Sequence, residues 1–182
     1  VNVMWAVDQV KAAVAQESIP PLALWYGEER YLIQEALDVL KGHFLRRDPS
    51  GSGVERLSGR EVSPEEIVER ANTVSFFAEK LLIIDDIPYF QEEPFDLEPL
   101  YTYFANPNPQ TCLLFIAEKV HKGRKFYKEI SRQGMVIEFQ VPPSSRAMEW
   151  QRWVQERARA YGKTMTPATA QFFLDWAGHQ AG

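Results

Sequence analysis

The sequence predicts an α/β fold, a parallel sheet flanked by helices, followed by part of a small helical domain. Three observations predict it. Strand-length apolar runs alternate with helical stretches five times before residue 142. Those runs are nearly continuous instead of alternating, so both faces of each strand are covered, as in a parallel sheet sandwiched by helices. Beyond Pro142-Pro143-Ser144-Ser145 only helical periodicity remains. The chain has 182 residues, 45 % of them hydrophobic, enough for a sizeable core and for one domain plus part of a second. The expected division is an α/β domain over 1–141 and the start of a helical domain over 142–182.

The elements follow in order. Between Val3 and Gln16, residues Val3, Val7, Val10 and Val14 recur at helical intervals. Pro20-Pro21 breaks the chain before Leu22-Ala23-Leu24-Trp25-Tyr26, a strand. Gly27 then turns it into a helix predicted over 28–45, whose stripe is Leu32, Ala36, Leu37, Leu40 and Phe44. Asp48 to Gly53 is loop by composition, and a brief strand is predicted over 54–57. Ser63-Pro64-Glu65-Glu66 opens the next helix, with Ser63 as cap, Pro64 in the first turn and Glu66 completing a capping box. Buried strands are predicted over 80–85 and 111–117, with a helix over 97–105 between them, stopped by Asn106-Pro107-Asn108-Pro109. A helix over 124–132 and a strand over 135–141 complete the domain. Trp150, Trp153, Val154, Ala158 and Tyr161 then mark one further helix, and Thr166-Pro167 caps another carrying Phe172, Phe173 and Trp176.

Charge and composition exclude several classes. The net charge is −5, so overall attraction to nucleic acid or anionic membrane is not indicated. No apolar run approaches the roughly 18 residues of a membrane span, no signal-peptide pattern is present, and a lone Cys112 suits a reducing compartment. A soluble, cytoplasmic chain is expected.

A phosphate cradle needs G-x-x-x-x-G-K-[ST] between strand and helix. After the first strand stands Tyr26-Gly27-Glu28-Glu29-Arg30-Tyr31, with no lysine and with two carboxylates where phosphates would sit. That loop repels a nucleotide. Gly162-Lys163-Thr164 lacks the earlier glycine, since Arg157 holds that position, and it reads as a helix end. Asp85-Asp86 ends an apolar strand, either as the start of a polar loop or as a magnesium-coordinating pair. Cys112 reads as a core thiol, and His43, His121 and His179 lack metal-ligand spacing. Lys119-Val120-His121-Lys122-Gly123-Arg124-Lys125, with Lys128 beyond, is the basic cluster of an acidic chain. It is either a solvated loop or a contact for phosphate or an acidic partner.

Ser75-Phe76-Phe77 is the most informative local feature. Counting about 100° per residue from Ala71, residues Ile67, Val68, Val74 and Ser75 fall within about 60° of it. If the helix continues, Phe76 falls at about 140° and Phe77 at about −120°, off the packed stripe. Two outward phenylalanines would be a protein-binding knob; a helix ending at Val74 would fold both rings into the core instead.

Leu24-Trp25-Tyr26-Gly27-Glu28-Glu29-Arg30-Tyr31-Leu32-Ile33 resembles the opening strand and turn of the delta subunit family of the bacterial DNA polymerase III clamp loader. Asn72 through Ile84, Asn106 through Phe115 with Glu118-Lys119-Val120, and Trp153 through Ala158 with Gly162-Lys163 are similar to that family in the same order. The resemblance implies an AAA+/P-loop-NTPase-like fold with a degenerate nucleotide site, no ATP cofactor and no catalysis of its own within a DNA-directed DNA polymerase (nucleotidyltransferase) holoenzyme. It implies a chain that docks on the sliding clamp, the beta subunit, and opens its ring. It places the clamp contact at Phe76 and Phe77, with Val74 as a neighbour. Ser75-Phe76-Phe77-Ala78 matches the family's pattern of small residue, hydrophobic residue, Phe and Ala, with Phe at the first hydrophobic position where Leu is also common. Other loader subunits would be met through a collar domain missing from this chain, and DNA indirectly, with Lys122, Arg124 and Lys125 as contacts for DNA or a partner. No membrane partner is implied. Two other readings use the same residues: a nucleotide phosphohydrolase with Asp85 and Asp86, and a nucleic-acid-binding module with the 119–128 cluster.

Overall fold

The apolar runs become strands because each can bury both of its faces. The structure, a computed structural model, describes residues 5–73, 79–91, 95–141 and 147–178. It divides into two compact units, Val1–Phe139 and Gln140–Gly182.

In the first unit, β1 (Leu22–Tyr26), β2 (Val54–Ser58), β3 (Lys80–Asp85), β4 (Thr111–Ala117) and β5 (Met135–Glu138) form one sheet in the order β2-β3-β4-β1-β5. Every pairing is parallel. Successive side chains alternate between the faces. Leu22, Leu24, Leu82, Ile84, Leu113 and Phe115 point to one face and pack with α3 (Pro64–Asn72), α4 (Glu98–Ala105) and α5 (Lys125–Gln133). Phe104, Phe115 and Phe126 fill the middle of that layer, with Phe115 and Phe126 edge to face at 5.4 Å. On the other face Ala23, Trp25, Cys112 and Ile137 meet Val10 of α1 (Ala6–Ala15) and Leu40 of α2 (Arg30–Arg47). The flanked parallel sheet expected from sequence is therefore present.

The capping box forms as predicted: the Glu66 amide donates to Ser63 Oγ at 3.2 Å, and the Ser63 amide to Glu66 Oε2 at 2.8 Å. Some boundaries move. Helix α2 starts at Arg30 instead of residue 28, because Gly27 has φ +145° and the Arg30 amide bonds back to the Glu28 carbonyl at 2.9 Å. Strand β5 stops at Glu138 instead of 141: its register with β1 ends at Tyr26, whose carbonyl accepts the Phe139 amide at 2.7 Å as the last bond between them. Helix α3 stops at Asn72, with Thr73 extended at ψ 114°. Val3 lies outside the described residues.

The second unit contains α6 (Ala147–Ala160) and α7 (Pro167–Gly178). Gln151 donates to Gln171, and Gln155 donates to the Met165 carbonyl at 2.9 Å. Thr166 Oγ1 accepts the Thr169 amide at 3.1 Å, the cap anticipated from Thr166-Pro167. Gly162 follows α6 with φ +68° and its amide bonded to the Arg159 carbonyl, so the Gly-Lys-Thr triplet begins at a helix end. Phe172 and Trp176 stand exposed on α7.

Candidate functional site

Two places in the first unit bear on the residues singled out by sequence, and the basic cluster beyond Lys119 lies apart from both. The first lies where strand order reverses. The chain leaves β1 for the far edge at β2, but leaves β4 for β5 on the opposite side of β1. In open α/β sheets ligands bind at the carboxyl ends of the strands beside such a reversal. A cleft of about 560 Å³ lies there, lined by Gly27, Arg30, Arg56, Asp85, Asp86 and Glu118 among others.

Its chemistry does not fit a nucleoside triphosphate. Gly27 serves packing: a β-carbon there would stand 2.1 Å from the Phe139 carbonyl oxygen. The Gly27 amide donates to the Ala117 carbonyl at 3.2 Å and the Arg30 amide to the Glu28 carbonyl, so neither is left for a phosphate. The cations are occupied as well. Arg30 meets Glu118 at 2.8 Å and Lys119 meets Glu28 at 3.0 Å, joining the turns after β1 and β4. Glu28 holds the Lys119 ammonium above the ordinary lysine range. Arg56 pairs with Asp85, and Arg60 with Asp86 at 2.7 Å. Asp85 and Asp86 are thus brought together with arginines. Among the described residues, no three histidines, cysteines or carboxylates converge as a metal site.

The second place is formed by the described flanks of residues 74–78, the end of α3 and the start of β3. Val74, Phe76 and Phe77 lie outside the described residues; α3 ends at Asn72, followed by extended Thr73. Both flanks are described. A helix leaves its last four carbonyls without partners inside the helix. Here three side chains from elsewhere take two of them. The Ala71 carbonyl accepts from Thr111 Oγ1 at 2.8 Å and Asn108 Nδ2 at 3.2 Å, and the Arg70 carbonyl accepts from Lys80 Nζ at 2.8 Å. Thr73 Oγ1 donates to the Glu69 carbonyl at 2.8 Å. Lys80 is also 3.2 Å from Glu55. On the far flank the Glu79 carboxylate is bound by Arg47, with His43 Nε2 at 3.8 Å. Burial, and then Arg47, hold the His43 imidazole below its ordinary value, with Glu79 pulling the other way.

Sequence reasoning missed this arrangement. Its available signal was Thr111, a hydroxyl opening an otherwise apolar strand, just after the Asn106-Pro107-Asn108-Pro109 stop.

The basic cluster is divided. Lys125 pairs with Glu98 at 2.6 Å and lies 4.4 Å from the Tyr101 ring centroid, so it ties α5 to α4. Lys122 and Arg124 are exposed, and among the described residues neither forms an ion pair. Burial pushes the Cys112 thiol up to about 12, which suits the core-thiol reading. His43 is buried, and His121 Nδ1 accepts the Gly123 amide at 3.2 Å. His179 lies outside the described residues. No helix among the described residues is long and apolar enough to cross a membrane.

Comparison with known proteins agrees with this architecture. Residues 24–140 match the family described as DNA polymerase III, delta subunit. The DNA polymerase III subunit delta of Bacillus subtilis is 22 % identical over 141 residues, 72 % of this chain and 41 % of that protein. The solved structure of a Bacillus subtilis DNA clamp loader delta protein superposes with a TM-score of 0.78 at 19 % identity, covering 91 % of this chain and 51 % of that one. A DNA polymerase III gamma subunit-related protein from Thermotoga maritima has a TM-score of 0.49 at 13 % identity, covering 91 % of this chain and 57 % of that one. The chain spans about half the length of the Bacillus subtilis delta proteins. With the family matched across most of the first unit, and the sheet superposing on a clamp loader delta protein, this chain belongs to the DNA polymerase III delta subunit family.

Proposed function

We propose that this chain acts mechanically, binding the sliding clamp through Phe76 and Phe77 with Val74 beside them, and opening the ring without hydrolysing ATP. The observation that carries the reading is membership of the delta family, whose matched span, residues 24–140, contains Ser75-Phe76-Phe77-Ala78 between α3 and β3. The cleft supports it from the other side. The Gly27 and Arg30 amides, the Arg30 guanidinium and the adjoining Lys119 are engaged within the chain, and this favours a binding role over the phosphohydrolase alternative. Other loader subunits would supply ATP hydrolysis. Lys122 and Arg124, exposed and without ion pairs among the described residues, would face DNA or an acidic neighbour in the assembly, where Lys125 remains bound to Glu98.

The test is clamp affinity, by surface plasmon resonance on the cognate clamp, with urea unfolding as the control for folding. An aromatic anchor at an interface centre costs about 2 kcal/mol or more when truncated, so Phe76→Ala and Phe77→Ala should each weaken binding about tenfold or more. Folded variants that bind as tightly as wild type would overturn the assignment.

A further inference from the structure

We propose that Thr111 and Lys80, assisted by Asn108, are positioning residues for clamp engagement, tying the carbonyl end of α3 to the sheet on the described flank that precedes residues 74–78. This rests on the clamp-binding reading above. Three features of the described residues carry it.

First, two of the carbonyls that the end of α3 leaves open are closed by side chains from outside the helix. Many helices finish with a left-handed residue that turns the chain back onto its own carbonyls. Helix α3 finishes instead with extended Thr73, and the carbonyls of Arg70 and Ala71 are taken by side chains from β3, β4 and the loop before β4. The terminus is thereby tied to the sheet.

Second, the donors are held. Thr111 is 2 % exposed, and its amide is bonded to the Asn108 carbonyl at 3.1 Å. Asn108 is fixed in turn, its amide on the Tyr103 hydroxyl at 3.2 Å and its Oδ1 on the Gln110 amide at 3.0 Å. Lys80 has a side chain only 12 % exposed between Glu55 and the helix end, where a cation also matches the negative pole of the dipole. Its own amide bonds to the Gln110 carbonyl at 2.8 Å. The loop over 108–110 thus reaches both flanks of the segment, Ala71 before it and Lys80 after it.

Third, the far flank is clamped independently. Glu79 is bound by Arg47 of α2, and a β-carbon on Gly53 would stand 2.9 Å from the Glu79 carbonyl oxygen, so the backbones are in close contact there. An anchor that meets a pocket loses less conformational entropy on binding when its base is already ordered.

Thr111→Val keeps shape and burial but deletes the donor, Thr111→Ser restores it, and Lys80→Met keeps the stem while removing the ammonium. Clamp affinity, urea unfolding and amide hydrogen exchange are measured on each. Thr111→Val and Lys80→Met should each weaken clamp binding about fivefold, the effect of one hydrogen bond, with Thr111→Ser close to wild type. Faster exchange should be confined to the amides around 72–80. If Thr111→Val fails to fold, Lys80→Met decides. Folded Thr111→Val and Lys80→Met variants that bind as wild type, while Phe76→Ala loses binding, would overturn the positioning role alone. If Phe76→Ala and Phe77→Ala bind as wild type, the clamp assignment fails first and this proposal falls with it.

Discussion

The Arg30 guanidinium and the Glu118 carboxylate meet at 2.8 Å across the reversal of strand order, one from the first residue of α2 and the other from the residue after β4. Beside them Glu28 and Lys119 make the reciprocal pair. Both pairs are solvent-exposed, and such pairs add little stability. Their consequence lies elsewhere. They place carboxylates, already paired, where a phosphate-binding loop would offer free amides and a free lysine.

Isothermal titration with Mg-ATP should therefore show no saturable binding up to millimolar concentrations. Glu118→Ala should not create a site, because the Gly27 and Arg30 amides stay engaged. Saturable binding that disappears in Asp85→Ala would restore the nucleotide-enzyme reading.

Gly27 tests what the surviving glycine of that loop is for. An alanine there combines φ +145° with a β-carbon 2.1 Å from the Phe139 carbonyl oxygen. Gly27→Ala should lower unfolding free energy by about 2–4 kcal/mol, from backbone strain and overlap. Gly42 is the control. It lies inside α2, where a β-carbon would meet only the Arg46 side chain at 3.6 Å. Gly42→Ala should be neutral to stabilising, by up to about 1 kcal/mol. Equal effects in urea unfolding would refute the close-approach role of Gly27.

His43 makes stability depend on pH. The groups facing it are Arg47 and Arg46, Glu79, and Glu17. Its folded-state pKa lies below the unfolded value, so between the two the unfolded chain binds more protons, and stability falls as pH drops below about 6.5. Urea midpoints taken at about pH 7.5 and about pH 5.5 should differ more in wild type than in His43→Gln. Identical slopes in the two proteins would exclude the contribution of His43.

Much of the architecture was legible in sequence because it is local. Leu81 to Ile84 and Cys112 to Ile116 are continuous apolar runs, and burial on both faces of a parallel strand follows directly from that. Ser63 and Glu66 are three residues apart, so their mutual capping needs nothing from the rest of the chain. The degenerate loop after β1 could be read from residue types alone, since Glu28 and Glu29 stand in place of a lysine and a hydroxyl.

Other features depend on residues far apart in the chain, and no periodicity contains them. Strand order brings Glu118 to Arg30 across 88 positions. It also brings Thr111 to the Ala71 carbonyl across 40. Helical counting left open whether α3 runs on to Phe76 or ends at Val74, and in the structure it ends at Asn72, where Thr73 is extended and side chains from elsewhere gather. The kinds of element were set by local propensity and apolar spacing. Strand order, the close approach at Gly27 and the bonds at the end of α3 arose only when the sheet paired and its loops met, because hydrogen bonds and ion pairs form between neighbours in space.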